Sequence, residues 1–327
     1  MIRLLCRLAL ISLAVAEWAG PAVAAAAPRD SIVYLLPAPR ESVMLAPFVL
    51  ADHRGYYAAE GLTVTFRTVP GGAKVGEALS RGEGDLGGAS GDTPILLRER
   101  GFAVKGVALL GGHAFLTIMA DRRAQVTSAT MAGKRFGVPS FTDISYYALD
   151  AWRRASAIAP GALSVVALSP PALWEQLGRG DLDAIVGTVD WGVRAQRSGI
   201  TLDYDGADRH FPAMAQAILA SDAAIANNPR AIRKFVRATL RAVDAIRRQP
   251  KRSAHDYRKM VPQSDLTEQE IATVFSLLGR HVYAGQQVAG AFDGRRVAAL
   301  QDAYLELGLV RQRRDPTLFF TNDFTHE

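Results

Sequence analysis

Apolar and polar positions along this chain alternate between a strand-like and a helical period. Ser31 to Leu36 is an apolar run that predicts a strand, Met44 to Leu50 opens a helix that Gly55 ends, and Leu62 to Val69 alternates well enough for a second strand. Ala73 to Ser80 has helical spacing, Leu86 to Ala89 is a short apolar strand, Thr93 to Arg100 a helix and Val104 to Leu110 another strand. The pattern then repeats, with strands at Phe136 to Val138, Ser164 to Leu168 and Ala184 to Gly187, and helices at Asp143 to Ala155 and Pro171 to Leu177. Alternation of this kind implies parallel pairing. After an apolar strand at Ala215 to Ser221 only helices follow. Asn228 caps one that starts with Pro229 and ends at Pro250, Thr267 and Glu270 form a capping box before Ile271, Phe275 and Leu278, and Gly308 stops a helix over Arg295 to Leu307. These last helices are expected to pack on the first half of the fold.

One seven-residue pattern occurs twice. Leu79, Arg81, Gly82, Glu83 and Asp85 are matched by Leu177, Arg179, Gly180, Asp181 and Asp183. In each copy helical spacing precedes the glycine and an apolar run follows it, so the glycine is expected to end a helix in the left-handed conformation before the chain re-enters a sheet. The chain therefore reads as two similar α/β halves.

At 327 residues there is enough chain for two domains, and 49% apolar with 21% charged residues marks a globular protein. Residues 1–24 read as an export signal: Arg3 and Arg7, then the apolar run Leu8 to Ala16, then Gly20 and Pro21 before the small residues Ala22, Val23 and Ala24. The apolar run is too short to cross about 30 Å of hydrocarbon. Cys6 is the only cysteine and would leave with the signal, so the mature chain has neither disulfide nor thiolate. A periplasmic location is the expectation. Losing Arg3, Arg7 and Glu17 would take the formal charge from +6 to +5. Much of the surplus lies between Arg230 and Arg248, opposite Ile232, Phe235, Val236, Leu240, Val243 and Ile246. That is the solvated face of an amphipathic helix, with mild attraction for anions, rather than a nucleic-acid surface.

The runs GYYAAEGLTV (Gly55 to Val64), Gly71-Gly72 and ALSRGEGDLG (Ala78 to Gly87) resemble substrate-binding proteins of nitrate, sulfonate and taurine transporters, a group that includes binders of thiamine-precursor pyrimidines. MAGKRFGVPS (Met131 to Ser140) and GRGDLDAIVG (Gly178 to Gly187) resemble the second lobe of the same family. The resemblance implies a two-lobed, type II-like periplasmic binding protein fold of α/β class. Each lobe would be an open, mostly parallel sheet flanked by helices, with extra C-terminal helices. Residues 28–116 and 218–327 would form lobe 1 and residues 117–217 lobe 2, joined by crossing segments at Phe115 to Asp121 and Ala215 to Ser221. The implied protein is a monomer that delivers a small organic anion to an ABC permease by hinge closure, without cofactor or metal.

In such sheets ligands bind beyond the carboxyl ends of the strands. The loops that qualify in the first lobe are Pro37 to Ser42, with Glu41 and Ser42, then Gly71 to Lys74, with Gly72, Ala73 and Lys74, then Ser90 to Thr93, with Ser90, Gly91 and Asp92. The glycines either admit backbone to a ligand or serve a tight turn, and Lys74 either offers a charge or faces solvent. Ser90, Asp92 and Thr93 have the residue types of a helix cap, with Pro94 behind them. In the second lobe the loop is Ser140, Phe141, Thr142 and Asp143, where family members place small polar ligand contacts. Asp143 competes with an anion for the same helix dipole, so facing the cleft it would favour a ligand with a donor or positive group. Asp190 and Trp191 follow the last strand, with Gly192 where sulfonate binders often carry proline. Trp191, Phe141, Tyr146, Tyr147 and His113 could stack on a flat ring.

Catalytic readings find little support. The six histidines are scattered without metal-ligand spacing, and no Gly-x-Ser-x-Gly turn is present. The alternatives to an anion carrier are a binder of a heteroaromatic pyrimidine, an exported ligand sensor, and a biosynthetic enzyme of the same fold.

Overall fold

The computed structural model describes residues 30–326, so the export-signal expectation for residues 1–24 lies outside the described residues. Ten strands form two five-stranded sheets among these residues. The first half runs β1 (Asp30–Leu36), α1 (Ala46–His53), α2 (Tyr56–Ala59), β2 (Leu62–Thr68), α3 (Gly72–Ser80), β3 (Leu86–Ser90), α4 (Thr93–Glu99) and β4 (Val104–Leu109). The second half runs β5 (Thr117–Asp121), β6 (Arg135–Val138), α5 (Ile144–Ala155), β7 (Ser164–Ala167), α6 (Pro170–Arg179), β8 (Ala184–Gly187), α7 (Val189–Ala195) and β9 (Leu202–Gly206). The chain then returns through β10 (Gln216–Ser221) into α8 (Asp222–Asn227), α9 (Pro229–Arg248), α10 (Pro250–Met260), α11 (Glu268–His281) and α12 (Gly294–Glu306).

The two sheets share one plan. Their strand orders are β2-β1-β3-β10-β4 and β7-β6-β8-β5-β9. In each, three strands pair in parallel, and the fourth runs antiparallel to both its neighbours. The expected crossing segments are therefore corrected. Most of Phe115 to Asp121 is β5 and most of Ala215 to Ser221 is β10, the antiparallel strands, and the connections are residues 110–116 and 207–215. A segment arriving from the other sheet must pair its buried backbone groups, and only a reversed strand fits its direction of entry.

Repeated local chemistry explains the repeated plan. Gly82 and Gly180 hold φ of +74° and +78° after α3 and α6. Arg81 pairs with Glu83 and Arg179 with Asp181. Beyond each lies an aspartate that ties its strand to the neighbouring one.

The late helices correct the sequence reading in two ways. Pro250 ends α9 but also opens α10, which sequence missed because only Ser253, Ala254 and Tyr257 of that helix are buried. Its apolar stripe is too thin to register. Packing on the first half also proves incomplete as a description. α9 lies on α1, α2, β1 and β2, with Phe235 stacked on Tyr34 at 5.0 Å and on Tyr57 at 4.8 Å. α11, by contrast, also contacts α7 of the second half. Arg194 bridges Asp265 at 2.8 Å, and Arg197 bridges Glu270 at 2.7 Å. The basic face of α9 is solvated and partly neutralised locally, Lys234 by Asp30 and Arg237 by Glu60.

Candidate functional site

A cleft of about 360 Å3 lies between the two sheets, at the carboxyl ends of β1, β2, β3 and β6. Four loops wall it. Pro37 and Ala38 follow β1, Gly71 to Ala73 lead into α3, Ser90 and Asp92 lead into α4, and Thr142 to Ile144 lead into α5. Phe115 comes from the first connection, Gln216 from the start of β10, Tyr147 from α5 and Tyr304 from α12. The two glycines have separate reasons. Gly71 has φ of +91°, which fits the turn, while a Cβ on Gly72 would meet the Cβ of Ala89 at 2.7 Å. α3 starts without a side-chain cap, so its first-turn N–H groups are left for a ligand.

The electrostatics of the cleft are acidic. Asp92 is only 5% exposed, and Tyr304 donates its hydroxyl hydrogen to Oδ2. Oδ1 of Asp92 and the Ser90 hydroxyl are buried without a hydrogen bond of acceptable geometry. Burial pushes the Asp92 carboxyl up, an effect opposed by the nearby Ser90 and Tyr304 hydroxyls and reinforced by the charge of Asp143. Burial likewise raises the Tyr304 and Tyr147 phenols. Asp143 caps α5 by accepting from Ser145 N at 2.9 Å through Oδ1. Arg100 is the cation on the wall, and its guanidinium is held by Glu77.

Six of the expected site residues meet in this cleft: Gly72, Ala73, Ser90, Asp92, Thr142 and Asp143. Ser140 stands behind them. Its hydroxyl lies 3.0 Å from that of Thr142 and accepts from Thr142 N, which fixes the loop. Gly91 is buried, with its N–H donated to Ala215 O at 2.9 Å, because a Cβ there would strike Leu109 and Met214.

The remaining expectations are placed elsewhere. Lys74 is exposed to solvent. Glu41 is exposed with its carbonyl accepting from Tyr257, and Ser42 precedes a short 3-10 turn without capping it. Asp190 is buried and already taken, receiving Arg194 at 2.7 Å and the Thr188 hydroxyl. Its carboxyl is nonetheless pushed up, chiefly by burial. Trp191 packs toward Trp174, because the start of α7 faces the C-terminal helices through Val189 and Val193. Phe141 is 48% exposed and meets Tyr146 edge-on at 5.3 Å. His113 bonds Asp208 at 2.9 Å. Phe141, Tyr146 and Tyr147 thus meet edge-on while Trp191 and His113 lie apart from them, and of the five proposed stacking rings Tyr147 alone is on the cleft wall.

Pro37 and Ala38 belong to the loop expected after β1, whereas Tyr304, Gln216 and Phe115 were not foreseen as wall residues. Phe115 and Gln216 flank the connections, so a closer reading of those boundaries would have flagged them. Tyr304 gave no signal, since it lies on the last helix, 212 residues from Asp92. Among the described residues no group of three or more His, Cys, Asp or Glu is arranged to hold a metal ion.

Two sheets of mirrored order enclosing a loop-walled cleft define the class of two-lobed α/β binding-protein folds. The sequence profile described as NMT1/THI5 like matches residues 43–253, and the chain belongs to that family. It is 26% identical over 290 residues to the riboflavin-binding protein RibY of Chloroflexus aurantiacus, covering 86% of this chain and 83% of that one. It is 25% identical over 239 residues to 4-amino-5-hydroxymethyl-2-methylpyrimidine phosphate synthase of Aspergillus parasiticus, covering 66% and 67%. The fold is similar to the periplasmic aliphatic sulphonate binding protein SsuA of Escherichia coli, with a TM-score of 0.69 at 18% identity over 88% of this chain and 96% of that one.

Proposed function

We propose that this chain is a periplasmic solute-binding protein that captures a small organic molecule between its lobes and delivers it to an ABC importer, with no chemistry of its own. The observation that carries the reading is the cleft itself, walled from both sheets by loops that lead into helices. The lobes would follow the two sheets, residues 30–109 with 216–326 and residues 117–206, hinged at residues 110–116 and 207–215, which moves the expected boundary at 217 to the start of β10. Support comes from the printed roles of relatives, a riboflavin-binding protein by sequence and a sulphonate-binding protein by fold.

The uncapped first turn of α3 suits an oxygen of the solute, as carboxylate, sulfonate or carbonyl. Thr142 supplies a hydroxyl from the other lobe. A solute that touches both lobes only when they are closed shifts the population toward the closed form. A permease would recognise that form.

The test is native mass spectrometry of the purified protein for a co-purifying solute, followed by X-ray scattering with and without it. A smaller radius of gyration with solute supports the reading. An unchanged radius at saturation, or conversion of the solute to a product, overturns it. The synthase among the relatives makes that second measurement necessary.

A further inference from the structure

Two carboxylates from opposite lobes wall the same cleft, Asp92 at the start of α4 and Asp143 at the start of α5. Each has one oxygen engaged within its own lobe. Asp92 Oδ2 receives the Tyr304 hydroxyl, and Asp143 Oδ1 receives Ser145 N. Each therefore keeps an oxygen able to accept a further donor: Asp92 Oδ1 is buried with only the Ser90 hydroxyl near it, and neither atom makes a hydrogen bond in the structure. A buried acceptor without a donor is costly and calls for one. Arg100 is the cation among the described wall residues and is held by Glu77.

We propose that the solute carries a nitrogenous edge with two or more N–H donors, such as an amidinium, and that this edge bridges Asp92 and Asp143 across the cleft. This rests on reading the cleft as a solute site. The geometry makes the two acids part of the closing mechanism. Like charges on facing lobes repel as the lobes approach, and more strongly as closure removes water from between them. The field of Asp143 already reaches both Asp92 and Tyr304. A solute with donors on both sides of one edge converts that repulsion into two charge-assisted hydrogen bonds. Closure then requires the right edge, so Asp92 and Asp143 select the solute as well as hold it. Together with the α3 amides, the site describes a molecule with an oxygen at one end and N–H groups at the other.

The edge is tested with three compounds that share a phenyl ring: benzamidine, benzamide and benzoate. Thermal stability and calorimetric titration should rank them in that order, and Asp143→Asn should weaken benzamidine at least tenfold. Asparagine still caps α5, so this variant is expected to fold. Benzoate binding as tightly as benzamidine, or benzamidine unaffected by Asp143→Asn, overturns the proposal while leaving a solute site intact. Binding of none of the three overturns it as well. A second measurement needs no ligand. Scattering of the unliganded Asp92→Asn, Asp143→Asn double variant should give a more compact particle than the wild type, and an identical profile removes the repulsion argument. Failure of the underlying reading looks different: neither these compounds nor a co-purifying solute would alter the stability or dimensions of the wild-type protein.

Discussion

Asp183 holds the backbone of Arg135 in the second sheet as Asp85 holds that of Val33 in the first. Asp85 Oδ2 accepts from Val33 N at 2.7 Å, and Asp183 Oδ2 accepts from Arg135 N at 2.8 Å. The reverse bonds, Asp85 N to Val33 O and Asp183 N to Arg135 O, are both 2.9 Å. Each aspartate thereby clamps the strand that follows it to the parallel neighbour of that strand, β3 to β1 and β8 to β6. Asp85→Ala should cost about 1.5–3 kcal/mol, the value of a hydrogen bond to a charged group. Asp183→Ala should cost a similar amount, and urea unfolding of each variant measures it. A loss below ~0.5 kcal/mol in both would show that the repeat has no structural role.

Those aspartates were visible in the sequence because their pattern is local: helix, glycine, acid, strand. Glycine loops, caps and strand ends are legible for the same reason, which is why Ser90, Asp92, Thr142 and Asp143 were found. Asp190 failed because its place after β8 looks like theirs. Only the packing of α7 on the C-terminal helices shows that Arg194 already occupies it. Strands β5 and β9 and helix α7 went unread. β5 was taken as a connection, since its five residues are all buried and carry no alternation. Tyr304 is a tertiary fact, supplied by a helix that folds back from the far end of the chain.

The burial of Asp92 gives a pH signature. Burial raises the folded-state pKa of Asp92 above its ordinary value of 3.8. A carboxyl raised on folding binds its proton more tightly in the folded state, so stability falls as pH rises from about 3.8 through the folded value. Relative to Asp92→Asn, the wild type should lose stability over that interval. Urea unfolding from pH 3.5 to 8 would show it as a widening gap. A gap that does not change with pH would mean that Asp92 ionises as freely in the fold as in the unfolded chain.

Arg296 of α12 staples both connections between the lobes. It donates to Gly112 O at 2.7 Å, and to Ala213 O, and stands 3.5 Å from Asp208. Burial lowers its guanidinium pKa, an effect opposed by Asp208 and Asp293. Arg296→Met strands two part-buried carbonyls and should cost about 2–4 kcal/mol. Arg296→Lys has no planar fork to span both and should recover under half of that. Full recovery by lysine in thermal unfolding would rule out the two-carbonyl geometry as the source of the effect.

Glu270 ties α11 to the second lobe and should make the protein acid-sensitive in a defined window. Its hydrogen bond from Arg197 is the main cause of a pKa lowered to about 2 from 4.5, with further help from Thr267 N and the Thr267 hydroxyl. A carboxyl depressed on folding contributes stability that is complete above its unfolded pKa and is lost as pH falls through the folded one. The loss should therefore run from about pH 4.5 down to about pH 2. Because the pair is partly solvated, its worth is about 1 kcal/mol, well short of the full shift. Glu270→Gln should lower stability by that amount at pH 7 and by almost nothing at pH 2. Salt should shrink the difference, since the guanidinium side of the pair is open to screening. A Glu270→Gln deficit that persists unchanged at pH 2 would show that the effect does not come from the charge pair between the lobes, since glutamine can keep the capping box.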